Sequence, residues 1–159
     1  LADAEVRVYG PEMSEVSSHS QSTVLAVPQN EYITLWIETP MRLQNNGVPL
    51  GPELITARTF LSALLRRVAL VAEFQCNTPL ALDFGSLAQE AETLEIEKDL
   101  GWKDWQRYSS RQDRKMSLGG VVGTIQLREV PPVLRTLLTV GQMVHVGKNA
   151  TFGLGKYRL

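Results

Sequence analysis

One cysteine in 159 residues, Cys76, leaves nothing to pair with, so the chain is not a disulfide-stapled scaffold. It is expected to pack as a small apolar residue. Long apolar runs are lacking too: the most apolar stretch, residues 54–74, is broken by Arg58, Arg66, Arg67 and Glu73, which excludes a bilayer-spanning helix. No charged segment followed by an apolar run opens the chain, so no secretory signal is read and a reducing cytoplasm is the expected setting. The chain opens at Leu1 rather than Met, and any missing piece is expected upstream. Histidine is nearly as scarce as cysteine, with only His19 and His145. No His, Cys or Asp set has metal-ligand spacing, so no metal or other cofactor is expected. What is abundant is apolar side chain, at 43%. That suffices for one core, so one domain is expected over residues 32–159, preceded by residues 1–31 as a flanking segment or the remnant of an upstream domain.

The net charge of -1 hides a division of sign. Residues 1–101 hold 6 Lys/Arg against 14 Asp/Glu, a balance of -8, whereas residues 102–159 hold 10 against 3, a balance of +7. A basic C-terminal third is the footprint of a polyanion-binding face. Two oppositely charged faces attracting one another within the domain would produce the same count.

Periodicity supplies the element string. Residues 10–30, rich in Ser, Gln, Pro and Glu, read as a loop or linker holding His19. Tyr32-Ile-Thr-Leu-Trp-Ile-Glu38 alternates, with Ile33, Leu35 and Ile37 on one face, and predicts a half-buried strand stopped at Thr39-Pro40. Asn45-Asn46-Gly47 predicts a turn. Pro52 and Glu53 predict the start of a long helix whose inner side carries Leu54, Ala57, Leu61, Leu64, Leu65, Val68 and Val71. Residues 85–98 read as a second, acidic helical stretch with Leu87, Ala91 and Leu94 inward. Trp102–Ser110 reads as a strand from its aromatic content. Residues 118–128 form a clearer strand, with Val121, Gly123, Ile125 and Leu127 on one face. Pro131-Pro132 opens another helix bearing Val133, Leu134, Leu137, Leu138 and Val144, and Gly153–Leu159 closes with a short strand. This order predicts an α+β, ferredoxin-like (RRM-like) βαββαβ domain with an antiparallel sheet, both long helices on one face, and a C-terminal glycine-rich loop.

The segment His145-Val-Gly-Lys-Asn-Ala-Thr-Phe-Gly-Leu-Gly-Lys-Tyr-Arg158 resembles the glycine-rich signature of the RAMP superfamily of CRISPR-associated proteins, specifically the family that cuts precursor crRNA. Two more blocks look like the same family: Thr39-Pro-Met-Arg42 with Leu64-Leu-Arg-Arg67, and Trp105-Gln-Arg-Tyr-Ser109 with Arg111-Gln112 and Met116-Ser-Leu-Gly-Gly120. The resemblance covers most of residues 32–159. One position departs: the superfamily loop commonly begins with two glycines flanking one residue, and His145 stands in the first place. The resemblance implies binding of CRISPR repeat RNA and metal-independent endonucleolytic processing of precursor crRNA, with a catalytic histidine often carried by a domain upstream. A non-catalytic subunit that holds crRNA within an interference complex is the alternative. Other CRISPR-associated proteins and a second copy of the chain are further candidate partners, and no membrane is implied.

The residues of the loop point the same way. Gly147, Gly153 and Gly155 allow positive φ and close backbone approach to a phosphate, beside Asn149 and the cations Lys148, Lys156 and Arg158. A nucleotide P-loop does not fit, because Gln142 stands five residues before Gly147 and Asn149 follows Lys148. A tight turn in which the glycines serve geometry alone is the competing reading. Arg107, Arg111, Arg114 and Lys115, interleaved with Trp102, Trp105 and Tyr108, are candidates to grip phosphates, with Trp102 and Trp105 expected in the core. Arg111, Arg114, Lys115, Lys148, Lys156 and Arg158 are expected on one connected exposed face. His145, beside Lys148, is the candidate catalytic base for attack by a 2′-hydroxyl; capping of the last helix is its structural alternative.

Overall fold

The structure is a computed structural model that describes residues 30–109 and 114–159, with backbone alone for the strands at 106–109 and 114–117. Strand β1 (Tyr32–Met41) buries Ile33, Leu35 and Ile37 and exposes Tyr32, Trp36 and Glu38, as its alternation requires. It runs past the expected stop at Thr39-Pro40. The chain irregularity there appears as a register shift between Ile37 and Met41, where the amides of Glu38 and Thr39 both donate to the Lys156 carbonyl. A small hairpin, β2 (Gln44–Asn45) and β3 (Val48–Pro49), turns on Asn46 and Gly47, both at positive φ.

The long helix starts later than Pro52 suggests. Pro52–Leu54 forms a separate 3-10 turn, Leu54 is exposed, and α1 (Ala57–Phe74) begins at a capping box in which Thr56 and Thr59 satisfy each other's amides. Two reciprocal caps satisfy more orphan donors than a proline that merely lacks one. Its buried side carries Phe60, Leu61, Leu64, Leu65 and Val68.

The stretch expected to be helical over 85–98 divides in two. Helix α2 (Phe84–Glu92), capped by Asp83, buries Ala91 and ends at Thr93, whose hydroxyl donates to the Glu90 carbonyl. Strand β4 (Ile96–Lys103) follows, with half-buried Ile96 and Leu100 on the side of the sheet that carries the helices. Its charges mimic a solvated helix, but on an edge strand they discourage further pairing. The strand expected at Trp102–Ser110 is therefore displaced. Its second half belongs to a two-stranded ribbon, β5 (Gln106–Ser109) and β6 (Arg114–Ser117). Trp102 and Trp105 are 39% and 46% exposed rather than core residues, and the Trp102 indole donates to the Asp104 carboxylate. Cys76, just beyond α1, is likewise exposed.

Strand β7 (Gly120–Arg128) pairs with β4 on one side and β1 on the other, and β8 (Tyr157–Arg158) pairs with the far side of β1. The sheet order β4-β7-β1-β8, antiparallel throughout, is the ferredoxin-like arrangement. Helix α3 (Pro132–Val144) buries Leu134, Leu137 and Leu138, while Val133 faces solvent. It packs beside α1 over one face of the sheet. Gly141 makes the approach close: a Cβ there would stand 2.2 Å from the Tyr157 hydroxyl and 2.5 Å from a Leu64 methyl. Tyr157 meets Phe60 edge-to-face at 5.9 Å and donates to the Leu138 carbonyl at 2.7 Å. The opposite sheet face carries Tyr32, Thr34, Trp36 and Glu38 with the outward residues of β7. Among the described residues no helix is long and apolar enough to cross a membrane.

Candidate nucleic-acid interface

The glycine-rich loop is wound tightly on the end of β1. Gly147, at φ +90°, lies so close to Arg42 that a Cβ would meet its carbonyl oxygen at 2.7 Å, and the next amide, of Lys148, donates to that same oxygen at 2.9 Å. Gly155, at φ +69°, is closer still, with a Cβ falling 1.8 Å from the Val146 carbonyl. Its amide donates to Pro40, and the Lys156 amide to the Thr39 hydroxyl. Gly153, at φ +82°, has open space around it and requires glycine for its backbone angle alone. Asn149 also adopts a left-handed conformation, at φ +65°. The amides of Lys148, Gly153, Gly155 and Lys156 thus bond within the fold. What the loop offers an anion falls mainly to side chains.

That geometry separates the loop's cations. Lys148 lies over a cleft of about 290 Å³ that it shares with Arg42, Arg66 and Arg67. No described residue lining this cleft is acidic. The Arg67 Nε donates to the Val144 carbonyl at 3.1 Å, which holds the guanidinium at the mouth of the cleft. Lys156 and Arg158 instead meet on the open sheet face at Glu38, with Lys156 Nζ 2.8 Å from one carboxylate oxygen and Arg158 Nε 3.2 Å from the other. The Arg158 guanidinium also lies 5.3 Å from the centre of the Trp36 ring. Glu38 is held below the ordinary glutamate range, chiefly by the hydrogen bond from Lys156, with the charges of Lys156 and Arg158 adding and desolvation opposing. The three loop cations therefore do not converge, and an acid from β1, far away in sequence, answers two of them.

Arg107, Arg114 and Lys115 fall on the β5–β6 ribbon, in register Arg107↔Met116, Tyr108↔Lys115 and Ser109↔Arg114. Arg111 lies outside the described residues, as does His19. His145 closes α3 at φ +61°, its amide donating to Gly141. Its ring is not the cap of the helix; Arg67 takes that place at Val144. The His145 Nδ1 is shielded from solvent and has no hydrogen-bond partner among the described residues.

Arg42, Arg66 and Arg67 were not among the residues that sequence reasoning placed in the site. They belong to the acidic first two thirds, so a segmental charge count conceals them. The available signal was an arginine pair inside an otherwise apolar helix, Leu64-Leu-Arg-Arg67.

Comparison with curated proteins finds no match. Among solved structures, a Cas6 product complex is similar over 82% of this chain and 52% of its own, at 19% identity and TM-score 0.54. Thermus thermophilus Cas6 is similar over 82% and 54%, at 18% identity and TM-score 0.56. A partial Cas6-RT-Cas1–Cas2 complex is similar over 86% of this chain and 23% of its own, at 22% identity and TM-score 0.58. The chain thus spans about half the length of the Cas6 structures it resembles, and at these identities the likeness establishes the shared fold. The family described as CRISPR-associated endoribonuclease Cas6 matches residues 35–157, from the third residue past the start of β1 through the first residue of β8, and the chain belongs to that family.

Proposed function

We propose that this chain binds CRISPR repeat RNA and takes part in metal-independent endonucleolytic processing of precursor crRNA in the cytoplasm. The observation that carries this reading is the gathering of Arg42, Arg66, Arg67 and Lys148 around one cleft beside the glycine-rich loop, in a chain of the Cas6 family. Clustered cations attract a phosphate backbone and release its counterions. Solved Cas6 structures of the same fold include a product complex and a substrate-mimic complex, which supports assigning the anion to a nucleic acid.

In metal-independent cleavage the 2′-oxygen attacks the adjacent phosphorus and the 5′-oxygen leaves. The 2′-hydroxyl proton passes to a base, and the leaving oxygen takes a proton in turn. Cations stabilise the charge that develops on the phosphorane. Lys148 and the arginines beneath it are suited to that electrostatic part. His145, in the same stretch of chain, is the candidate base within these residues, and a histidine upstream is the alternative source. Arg107, Arg114 and Lys115 would grip the RNA from the ribbon, with Arg111 a further contact and with Lys156 and Arg158 on the open sheet face.

The test is a repeat-RNA titration at several salt concentrations, with cleavage assayed with and without EDTA. Binding that weakens linearly with log salt, together with cleavage in EDTA, supports the reading. Binding without any cleavage supports the alternative of a subunit that only holds crRNA. Replacing Lys148 and Lys156 together by Ala should lower the salt slope by about 0.7–0.9 per lost phosphate contact. An unchanged slope removes the loop from the site.

A further inference from the structure

The cationic cleft does not end at Arg67. That arginine and Leu70 also line a second, larger depression of about 570 Å³, whose walls set Phe74 and Met143 beside Gln75, His145 and Thr151. Phe74, the last residue of α1, is 71% exposed, and Met143, on the last turn of α3, is 62% exposed. The two depressions adjoin along α1 as one groove, cationic at one end and bearing Phe74 and Met143 at the other. Exposed aromatic and thioether side chains beside a charged cleft are costly to leave in water and are common where a flat π-face is received.

We propose that this groove is the subsite for one unpaired nucleotide of the bound RNA, its phosphate against Arg66 and Lys148 and its base against Phe74 and Met143. The inference rests on the RNA-binding reading above. The helix supplies the spacing: at about 1.5 Å of rise per residue, Arg66 and Phe74 stand roughly 12 Å apart along α1. That is the reach of a single nucleotide from its phosphate to the far edge of its base. Neither Arg66 nor Lys148 has an acidic partner among the described residues, whereas Arg58, two turns earlier on the same helix, is paired with Glu92. Arg66 and Lys148 thus keep their charge available at the groove. A base can lie on Phe74 only if it has left its stack, because in an A-form duplex both of its faces are covered. The subsite thus selects single-stranded RNA, such as the segment that flanks a paired repeat. A protein partner would equally cover Phe74 and Met143, but would leave the cations at the other end of the groove unanswered.

The experiment compares an unpaired RNA with a fully paired RNA of equal length, both titrated by fluorescence anisotropy over a salt series against the full chain. Replacing Arg66 and Lys148 together by Ala should flatten the salt dependence for unpaired RNA by about 0.7 per lost contact. Phe74→Ala should weaken unpaired RNA by about fivefold to a hundredfold, leave the salt slope unchanged, and leave paired RNA unaffected. Phe74→Trp should restore binding, which separates stacking from any general effect on the helix end. Equal weakening of both RNAs by Phe74→Ala, or none, overturns the subsite while leaving RNA binding intact. A change confined to self-association in light scattering also overturns it, and assigns the apolar end to a protein contact. If the unaltered chain binds neither RNA, the RNA-binding reading itself falls and takes the subsite with it.

Discussion

The Nε of Arg67 donates to the carbonyl oxygen of Val144 at 3.1 Å, so a side chain from α1 caps the C-terminal end of α3. One residue thereby joins the two helices, orders the start of the glycine-rich loop and presents charge to the cleft. Arg67→Ala should destabilise the fold by about 1.5–3 kcal/mol, the range for a charge-assisted hydrogen bond. The check is the urea midpoint at an unchanged m-value. Arg67→Lys should retain the salt dependence of RNA binding without recovering full stability, because a lysine lacks the planar fork.

The glycines of the loop should differ in their tolerance. At Gly153 the space is open and only φ +82° opposes a side chain, so Gly153→Ala should cost about 1–2 kcal/mol. Gly155→Ala adds a 1.8 Å clash with the Val146 carbonyl to a similar angle and should cost more. Chemical denaturation of the two variants side by side decides the order. If Gly153→Ala proves the more damaging, the loop is wound differently from the description above.

Acid should weaken the anchoring of β8 to β1. Lys156 and Arg158 depress the Glu38 pKa in the folded chain, so ionised Glu38 contributes stability that is fully present above its unfolded value, near the ordinary 4.5, and is lost as pH falls through the lower folded value. Glu38→Gln removes that contribution, and its thermal midpoint should fall less than that of the unaltered chain on acidification from about pH 7. Parallel melting curves would refute the coupling.

Tyr157→Phe deletes a buried hydroxyl that donates to the Leu138 carbonyl at 2.7 Å. Burial raises the Tyr157 pKa, so the group stays a donor throughout the working pH range. The loss should be about 1 kcal/mol, with RNA affinity unchanged, because the ring faces Phe60 inside the core. A large effect on RNA binding would instead place this tyrosine in the path between the core and the loop.

Alternation made β1 and β7 legible, because a sheet with helices on one face demands apolar residues at every second position. The helical period did the same for α1 and α3. Residues 96–98 were not legible as a strand: Glu97 and Lys98 read as the end of an acidic helix until the pairing with β7 is known. Trp102 and Trp105 misled in the other direction, since size and apolarity suggest burial and nothing local shows that they sit at the root of a ribbon.

The sequence by itself determined the family blocks, the two long helices, the central strands and the glycines at 147, 153 and 155, all of which depend on local chemistry or near-neighbour spacing. Only the tertiary structure decided which charges meet. It brought Arg42, Arg66 and Arg67 from the acidic part of the chain to Lys148, and set Glu38 between Lys156 and Arg158. Electrostatic partners are chosen by distance in space, and here the pairing of β8 with β1 and the winding of the loop onto Arg42 set those distances across more than a hundred residues of chain.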